Sequence, residues 1–192
     1  MTSKLKPERL NAFSDGIFAV LITILVLELH PPQQPTLSAL LEAWPNLLSY
    51  FVSYVFIAIV WVNHHYLLHY ASEATPRLVW FNFAHMFAVS WLPLSTAWMA
   101  NSELAAQPVA FYAAVFFFVN ATYVLLGWEL IKPAHLDAKA RRNLRLRSFA
   151  TLLAFAVASG LALKWPYAGL AVCCACLILY IRPDAPRAPA QS

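Results

Sequence analysis

Charged residues are scarce in this sequence. Asp, Glu, Lys and Arg make up only 11% of the 192 residues, whereas a typical soluble domain has about 25%. Apolar residues reach 61%, which is more apolar surface than a single core of this size can hide from water. The composition therefore excludes a water-soluble globular domain and indicates a protein that lies in lipid.

Glycine and cysteine are also rare. Four Gly are too few for a flexible low-complexity chain. Cys173, Cys174 and Cys176 lie in one apolar run without a distant partner, which excludes a disulfide framework. We interpret the Cys-x-x-Cys pair as buried packing residues.

Nucleic-acid binding and enzymatic activity find no support in the residues either. The net charge of +4 is small, and no basic face alternates with exposed aromatic residues, so we expect no nucleic-acid partner. The sequence contains no recognisable nucleophile–base pair or phosphate-binding loop. We therefore expect neither an enzyme nor a cofactor.

The apolar residues form six segments. They span residues 12–29, 40–68, 78–99, 108–131, 146–163 and 166–181. Most reach the length of about 20 residues that a spanning helix needs, and the last is short. The sequence predicts an all-α integral membrane protein, with six transmembrane helices in a single domain over 1–182 and a disordered, proline-rich tail over 183–192.

The basic residues predict the topology. Of the thirteen Lys and Arg residues, only Lys164 falls on the opposite side of this six-helix arrangement from the rest. Positive residues concentrate on the cytoplasmic side of membrane proteins. Both termini are therefore predicted to be cytoplasmic in a multi-pass protein of a bacterial-type plasma membrane.

The first segment opens with polar residues, among them Arg9, Ser14 and Asp15. An ionisable residue within a membrane span costs about 2.5–3.5 kcal/mol on insertion scales. Two interpretations of Asp15 remain open. It interacts with the dipole at the start of the helix, or it joins a buried polar network that fixes this helix against its neighbours.

The end of the second segment supplies candidate partners at the same depth. Asn63, His64 and His65 lie there, and Asn82 and His85 open the third segment on the same side. His65 and His69 are four residues apart, a spacing that a zinc site could use. No Glu or Cys stands at a matching spacing, so we expect no structural metal.

Two short runs resemble a known family. Arg9-x-x-x-Phe13-Ser14-Asp15, at the start of the first segment, is similar to the signature of the transmembrane protein 175 family of potassium channels. Trp61-x-Asn63-His64-His65 resembles the second helix of that family. The resemblance implies a homotetramer that passes K⁺ down its gradient, with the first helices around a central pore. It also implies a structural polar network formed by Arg9, Phe13, Ser14, Asp15, Trp61, Asn63, His64 and His65.

The resemblance also implies which residues line the pore. Apolar side chains form the constriction in this family, beginning at the position of Val20 and continuing at Thr23, Ile24 and Leu27. The residues agree independently, because positions i, i+3, i+4 and i+7 form one stripe of a helix. Several copies around a symmetry axis are needed for such a stripe to enclose a pore.

The chemistry of this stripe suits a cation filter. Rings of apolar side chains can gate by excluding water, and a tight ring favours K⁺, which sheds water more cheaply than Na⁺. We expect the permeating K⁺ near the Thr23 hydroxyl. Glu28 follows on the same helix, and it is either an acidic outer mouth or a solvated helix end.

Two other functions remain as alternatives. A secondary or proton-coupled transporter would use Asp15 and His64/His65 as a relay, although transporters usually show repeats and broken helices, and residues 17–29 contain no Gly or Pro. An intramembrane metal enzyme would use His65 and His69 as metal ligands.

Overall fold

The structure, a computed structural model, describes the backbone of residues 6–131 and 138–180 and the side chains as far as residue 178. Within these two ranges every regular element is an α-helix, and there is no β-strand. The helices are α1 (Pro7–Leu27), α2 (Leu37–Glu42), α3 (Trp44–Leu68), α4 (Pro76–Val89), α5 (Leu92–Asn101), α6 (Ala106–Leu130), α7 (Ala138–Ala162) and α8 (Pro166–Tyr180). The predicted tail over 183–192 lies outside the described residues.

Five stretches of the described chain are long and apolar enough to cross a membrane: α1, α3, α4 together with α5, α6, and α7. The sixth predicted segment forms α8, which is apolar but shorter. The prediction of an all-helical membrane protein is therefore confirmed.

Two predicted segments are interrupted. The second divides into α2 and α3 at Ala43, just before Pro45. The third divides into α4 and α5 at Ser90 and Trp91. Pro93 has no amide hydrogen for the carbonyl of Val89, so the regular helical hydrogen bond cannot form there. Hydropathy alone does not report such breaks.

The basic residues before the fifth segment correct another prediction. α7 begins at Ala138, eight residues earlier than the predicted start at residue 146. Lys139, Arg141, Arg142 and Arg145 precede the predicted segment, but they lie with Arg147 on the first turns of α7. Arg, Lys, Ala and Leu are strong helix formers, so the helix extends beyond its apolar part.

The core of the bundle surrounds α6, which packs against α4, α5, α7 and α8. Phe56 of α3 stacks on Phe116 of α6 with ring centroids 3.6 Å apart, and Phe155 of α7 meets Phe116 edge-on at 5.5 Å. Cys173 and Cys176 are free thiols buried in the same core.

α7 and α8 approach each other very closely at Gly169. A Cβ atom at this position would lie 2.6 Å from the Cβ of Ala162 and 2.7 Å from the carbonyl oxygen of Ala158. Only glycine permits this distance without a backbone shift.

α1 lies at the edge of the bundle, where it packs against α3, α5 and α4. No other described residues cover its opposite side, where Val20 and Leu27 are exposed.

Candidate functional site

α1 has one buried face and one open face. Leu10, Ser14, Phe18, Leu21 and Leu25 form the buried face. Leu21 is 6% exposed and Leu25 is 1% exposed. These positions recur every three or four residues, as expected for one side of a helix.

The open face contains all four predicted pore residues. Val20 is 55% exposed, Leu27 is 75% exposed, and Thr23 and Ile24 are also exposed. The Thr23 hydroxyl donates to the carbonyl oxygen of Val20 at 2.7 Å. Because a hydroxyl oxygen has two lone pairs, it can still bind a cation while it donates this hydrogen bond.

A chain of buried side-chain hydrogen bonds holds α1 against α4 and α3. The Ser14 hydroxyl donates to the carbonyl of Leu10 at 3.0 Å and accepts from Asn82 Nδ2 at 2.9 Å. His64 Nε2 donates to Asn82 Oδ1 at 2.7 Å. Buried polar groups in a membrane need partners within the protein. Asn82 thus joins three helices and fixes the rotation of α1.

The polar chain extends to α6 through a second histidine. The ring of His85 lies parallel to that of His64, with an interplanar angle of 12° and centroids 5.6 Å apart. His85 Nδ1 donates to the Thr122 hydroxyl at 3.0 Å, while that hydroxyl donates to carbonyl oxygens of its own helix. Asn82 and His85 were both expected in this network.

Asp15 has a different partner from the histidines suggested by the sequence. Trp61 Nε1 donates to Asp15 Oδ1 at 2.8 Å, which ties α1 to α3 a second time. Within the described residues, no hydrogen bond joins Asp15 directly to His64 or His65. Phe13, on the open side of the same turn, packs against Phe83 of α4 with centroids 5.3 Å apart.

Arg9, Asn63 and His65 were expected in the same network, and the structure gives each of them other surroundings. Arg9 is exposed and makes no ion pair in the described part of the chain. Asn63 Nδ2 donates to the carbonyl of Ile59 in its own helix at 2.8 Å, and Asn63 borders a small cavity among α3, α6, α7 and α8. The ring of His65 meets that of His69 edge-on, with centroids 4.7 Å apart.

The histidine pair does not form a metal site with other described residues. No group of three or more His, Cys, Asp or Glu side chains gathers anywhere in the described ranges. His69 Nδ1 also donates to the carbonyl of His65 at 2.8 Å, which occupies one of the ring nitrogens.

A second buried polar cluster was missed from the sequence. The Ser53 hydroxyl lies 2.7 Å from the Thr96 hydroxyl and 2.8 Å from the Tyr112 hydroxyl. Thr96 donates to the carbonyl of Leu92, so Ser53 donates to Thr96 and accepts from Tyr112. These bonds join α3, α5 and α6. The sequence feature that could have predicted this cluster is that three residues with hydroxyl groups lie at a similar depth in consecutive spans.

Glu28 follows α1 directly and is exposed. Its backbone carbonyl accepts a hydrogen bond from His30 Nδ1 at 2.9 Å. Glu28 thus follows Leu27, the last pore residue predicted on the open face.

Comparison with known proteins identifies related sequences. Residues 9–93 match the family described as "Endosomal/lysosomal potassium channel TMEM175". Over 178 residues the chain is 27% identical to a protein named potassium channel from Chryseobacterium sp. (strain P1-3), covering 92% of this chain and 93% of that protein. A protein named potassium channel from Streptomyces collinus is 33% identical over 170 residues, covering 80% of this chain and 81% of its own length.

A solved structure and an animal relative extend the comparison. The crystal structure of a lysosomal potassium-selective channel TMEM175 homolog from Chamaesiphon minutus matches with a TM-score of 0.80 and 27% identity, over 91% of this chain and 95% of that one. A Gallus gallus protein named endosomal/lysosomal proton channel TMEM175 is 31% identical over 150 residues, which are 66% of this chain and 30% of that protein.

Proposed function

The chain belongs to the TMEM175 family of potassium channels, and on this basis we propose that it conducts K⁺ down its electrochemical gradient through a homotetrameric pore. The prediction of this family from the motif at Arg9–Asp15 is confirmed. The family consists of ion channels, so the chain is not an enzyme.

The open face of α1 is the observation that carries this proposal. Val20, Thr23, Ile24 and Leu27 share one side of a membrane helix, and no other part of the described chain covers them. Four copies arranged around an axis would turn these faces toward one another, and closed rotational symmetry is the usual arrangement of identical subunits. The hydrogen bonds of Ser14 with Asn82 and of Asp15 with Trp61 support this arrangement, because they join α1 to α4 and α3 and leave the pore residues uncovered.

The side chains of the open face suggest separate roles. Rings of Val20, Ile24 and Leu27 would form narrow apolar constrictions that exclude water unless an ion crosses. A ring of Thr23 hydroxyls would replace part of the hydration shell, and this favours K⁺ because K⁺ loses water more easily than Na⁺. The permeating K⁺ would therefore bind near Thr23.

Glu28 would form the outer mouth of the same pore. Four carboxylates beyond the last apolar ring would raise the local concentration of cations, as rings of acidic residues do in cation channels. The exposure of Glu28 at the end of α1 supports this role.

The proposed topology has six crossings, with both termini in the cytoplasm of a plasma-membrane protein. α8 would be the sixth crossing. Its 15 residues span about 22 Å at 1.5 Å per residue, which is shorter than a typical hydrocarbon core of about 30 Å. Local thinning of the bilayer would accommodate the difference. The basic first turns of α7 support this orientation.

Ion flux into liposomes that contain the purified protein would test the proposal. We expect K⁺ flux driven by a K⁺ gradient alone, lower Na⁺ flux under the same gradient, and a particle mass of four chains. Absence of K⁺ flux from correctly assembled protein, or a dimeric particle, would contradict the proposal. Empty liposomes provide the baseline.

The same assay addresses the proton-coupled alternative that uses Asp15 and His64/His65. In a coupled carrier, K⁺ movement would depend on an opposing proton gradient and would stop when that gradient is abolished. In a channel it would continue. The separate hydrogen bonds of Asp15 with Trp61 and of His64 with Asn82 support the channel, since they leave no direct link for a relay.

A further inference from the structure

A groove with two arginines opens between α6 and the first turns of α7, with α3 at its edge. We call it the arginine groove. It has a volume of about 470 Å³, and its lining includes Leu67, Trp128, Arg141, Arg145 and Phe149. The open face of α1 is not part of it. The groove therefore requires an explanation other than ion conduction.

The charge of the groove is positive and locally unbalanced. Arg141 and Arg145 are one helical turn apart, so their side chains lie on the same face of α7. In the described part of the chain, no carboxylate forms an ion pair with either of them. Glu129, near the end of α6, is held instead by Arg77 at 3.0 Å. Each guanidinium presents a planar fork of N–H donors that suits the oxygens of a phosphate, and here two such groups lie one turn apart.

The other end of the groove is apolar. From Arg141 to Phe149 the axis of α7 rises by about 12 Å, and beyond Arg145 the lining includes the apolar side chains of Val124 and Phe149. Trp128 is 60% exposed beside this transition. Tryptophan favours the boundary between lipid headgroups and acyl chains. The groove thus changes from cationic to apolar in the direction in which a lipid molecule changes from headgroup to acyl chain.

We propose that the arginine groove binds one anionic phospholipid. Its phosphate lies between Arg141 and Arg145, and an acyl chain follows Val124 and Phe149 toward the membrane interior. Basic pockets between transmembrane helices on the cytoplasmic side are suited to acidic lipid headgroups. A soluble phosphate would use only the cationic end and would leave the apolar end exposed. The proposal requires that the chain spans a membrane, but it does not depend on K⁺ conduction.

Native mass spectrometry of the intact protein in detergent would test this proposal. The protein is titrated with phosphatidylglycerol or phosphatidylcholine of the same acyl composition, and bound lipids are counted from the mass. We expect the site to bind phosphatidylglycerol about tenfold more tightly. Arg141→Gln and Arg145→Gln should each weaken that binding about fivefold, as expected for about 1 kcal/mol per basic residue near an acidic lipid. Binding of phosphatidylcholine should weaken less, because its choline group offsets the charge of its phosphate.

Arg142→Gln is the matched control. It removes the same charge from the same turn of α7, but Arg142 is exposed and does not line the groove. Phosphatidylglycerol binding should stay within twofold of the unmodified protein. An equal loss in all three variants would show attraction to general surface charge and would overturn the proposal. Equal binding of the two lipids would also overturn it.

A competition experiment needs no variant. Phosphatidylglycerol bound to the unmodified protein should persist in a tenfold excess of glycerol 1-phosphate, because the soluble compound lacks the acyl chain that fills the apolar end. Displacement at that ratio would assign the groove to a small soluble anion and would contradict the lipid proposal. This test is independent of ion flux, so an inactive channel and a failed lipid site give different results.

Discussion

The two faces of α1 are nearly equal in apolar character but differ in what covers them. Leu21 and Leu25 are buried against the bundle, whereas Val20 and Leu27 are largely exposed. Polar residues at the start of the helix determine this difference, because Ser14 is bonded to Asn82 on the buried side. The comparison shows that a few hydrogen bonds at one end can set which apolar stripe of a long helix remains available for function.

The largest effect should come from removing the hydrogen bonds on the buried face of α1. Asn82→Ala leaves Ser14 and His64 without their shared partner, and a buried polar group that loses its hydrogen bond costs about 1–3 kcal/mol. We expect a strong loss of assembled protein, measured by size-exclusion chromatography and thermal unfolding in detergent. Asn101→Ala, at the exposed end of α5, is the control. An unchanged melting temperature in Asn82→Ala would contradict the proposed clamp.

Substitutions on the open face of α1 should change ion conduction rather than folding. Val20→Ala shortens a side chain that the proposal places in a constriction, so the K⁺ flux should rise about tenfold, because conduction through an apolar constriction depends on its wetting. Val26→Ala makes the same change on another side of α1 and should leave the flux unchanged. Liposome flux at matched protein density measures both. Equal fluxes in the two variants would mean that Val20 does not limit conduction.

Selectivity should change at the hydroxyl of the same stripe. Thr23→Val keeps the size and shape but removes the oxygen, and we expect the preference for K⁺ over Na⁺ to fall about fivefold, as for the loss of about 1 kcal/mol of ion stabilisation. Thr23→Ser retains the hydroxyl and should retain most of the preference. Reversal potentials in mixed K⁺ and Na⁺ would decide. An unchanged preference in Thr23→Val would remove Thr23 from the filter.

The smallest effect concerns the Asp15–Trp61 bond, which lies between the two faces. Asp15→Ala should lower the free energy of unfolding by about 1 kcal/mol and leave selectivity unchanged. Trp61→Phe removes the same bond from the other side. The double variant should therefore lose less than the sum of the single variants. Additive losses would show that the two residues act separately.

Some elements could be predicted closely from the sequence, while others could not. α6 occupies Ala106–Leu130, within two residues of the predicted 108–131, because its apolar run ends near its helix ends. The start of α7 was missed by eight residues, since hydropathy reports where lipid contacts a helix and not where the helix begins. The division of the third span depends on Pro93, whose effect is local and leaves the apolar pattern unchanged.

The polar network shows a similar limit. The sequence placed Asn63, His64 and Asn82 at one depth, but adjacent helix residues point about 100° apart, at 3.6 residues per turn. Only one of Asn63 and His64 can therefore face α4, and the rotation of α3 that selects His64 is set by packing along the whole helix. Depth indicated which residues could meet, but the structure was needed to show which of them are hydrogen-bonded.

The close approach at Gly169 determines how α8 is held by its neighbour. α8 has only 15 residues, fewer than the about 20 that a spanning helix needs. At Gly169 its backbone rests directly against Ala158 and Ala162 of α7. α8 is thus fitted to α7 without an intervening side chain, and we expect a larger apolar residue at position 169 to push the two helices apart even though it would make α8 more hydrophobic.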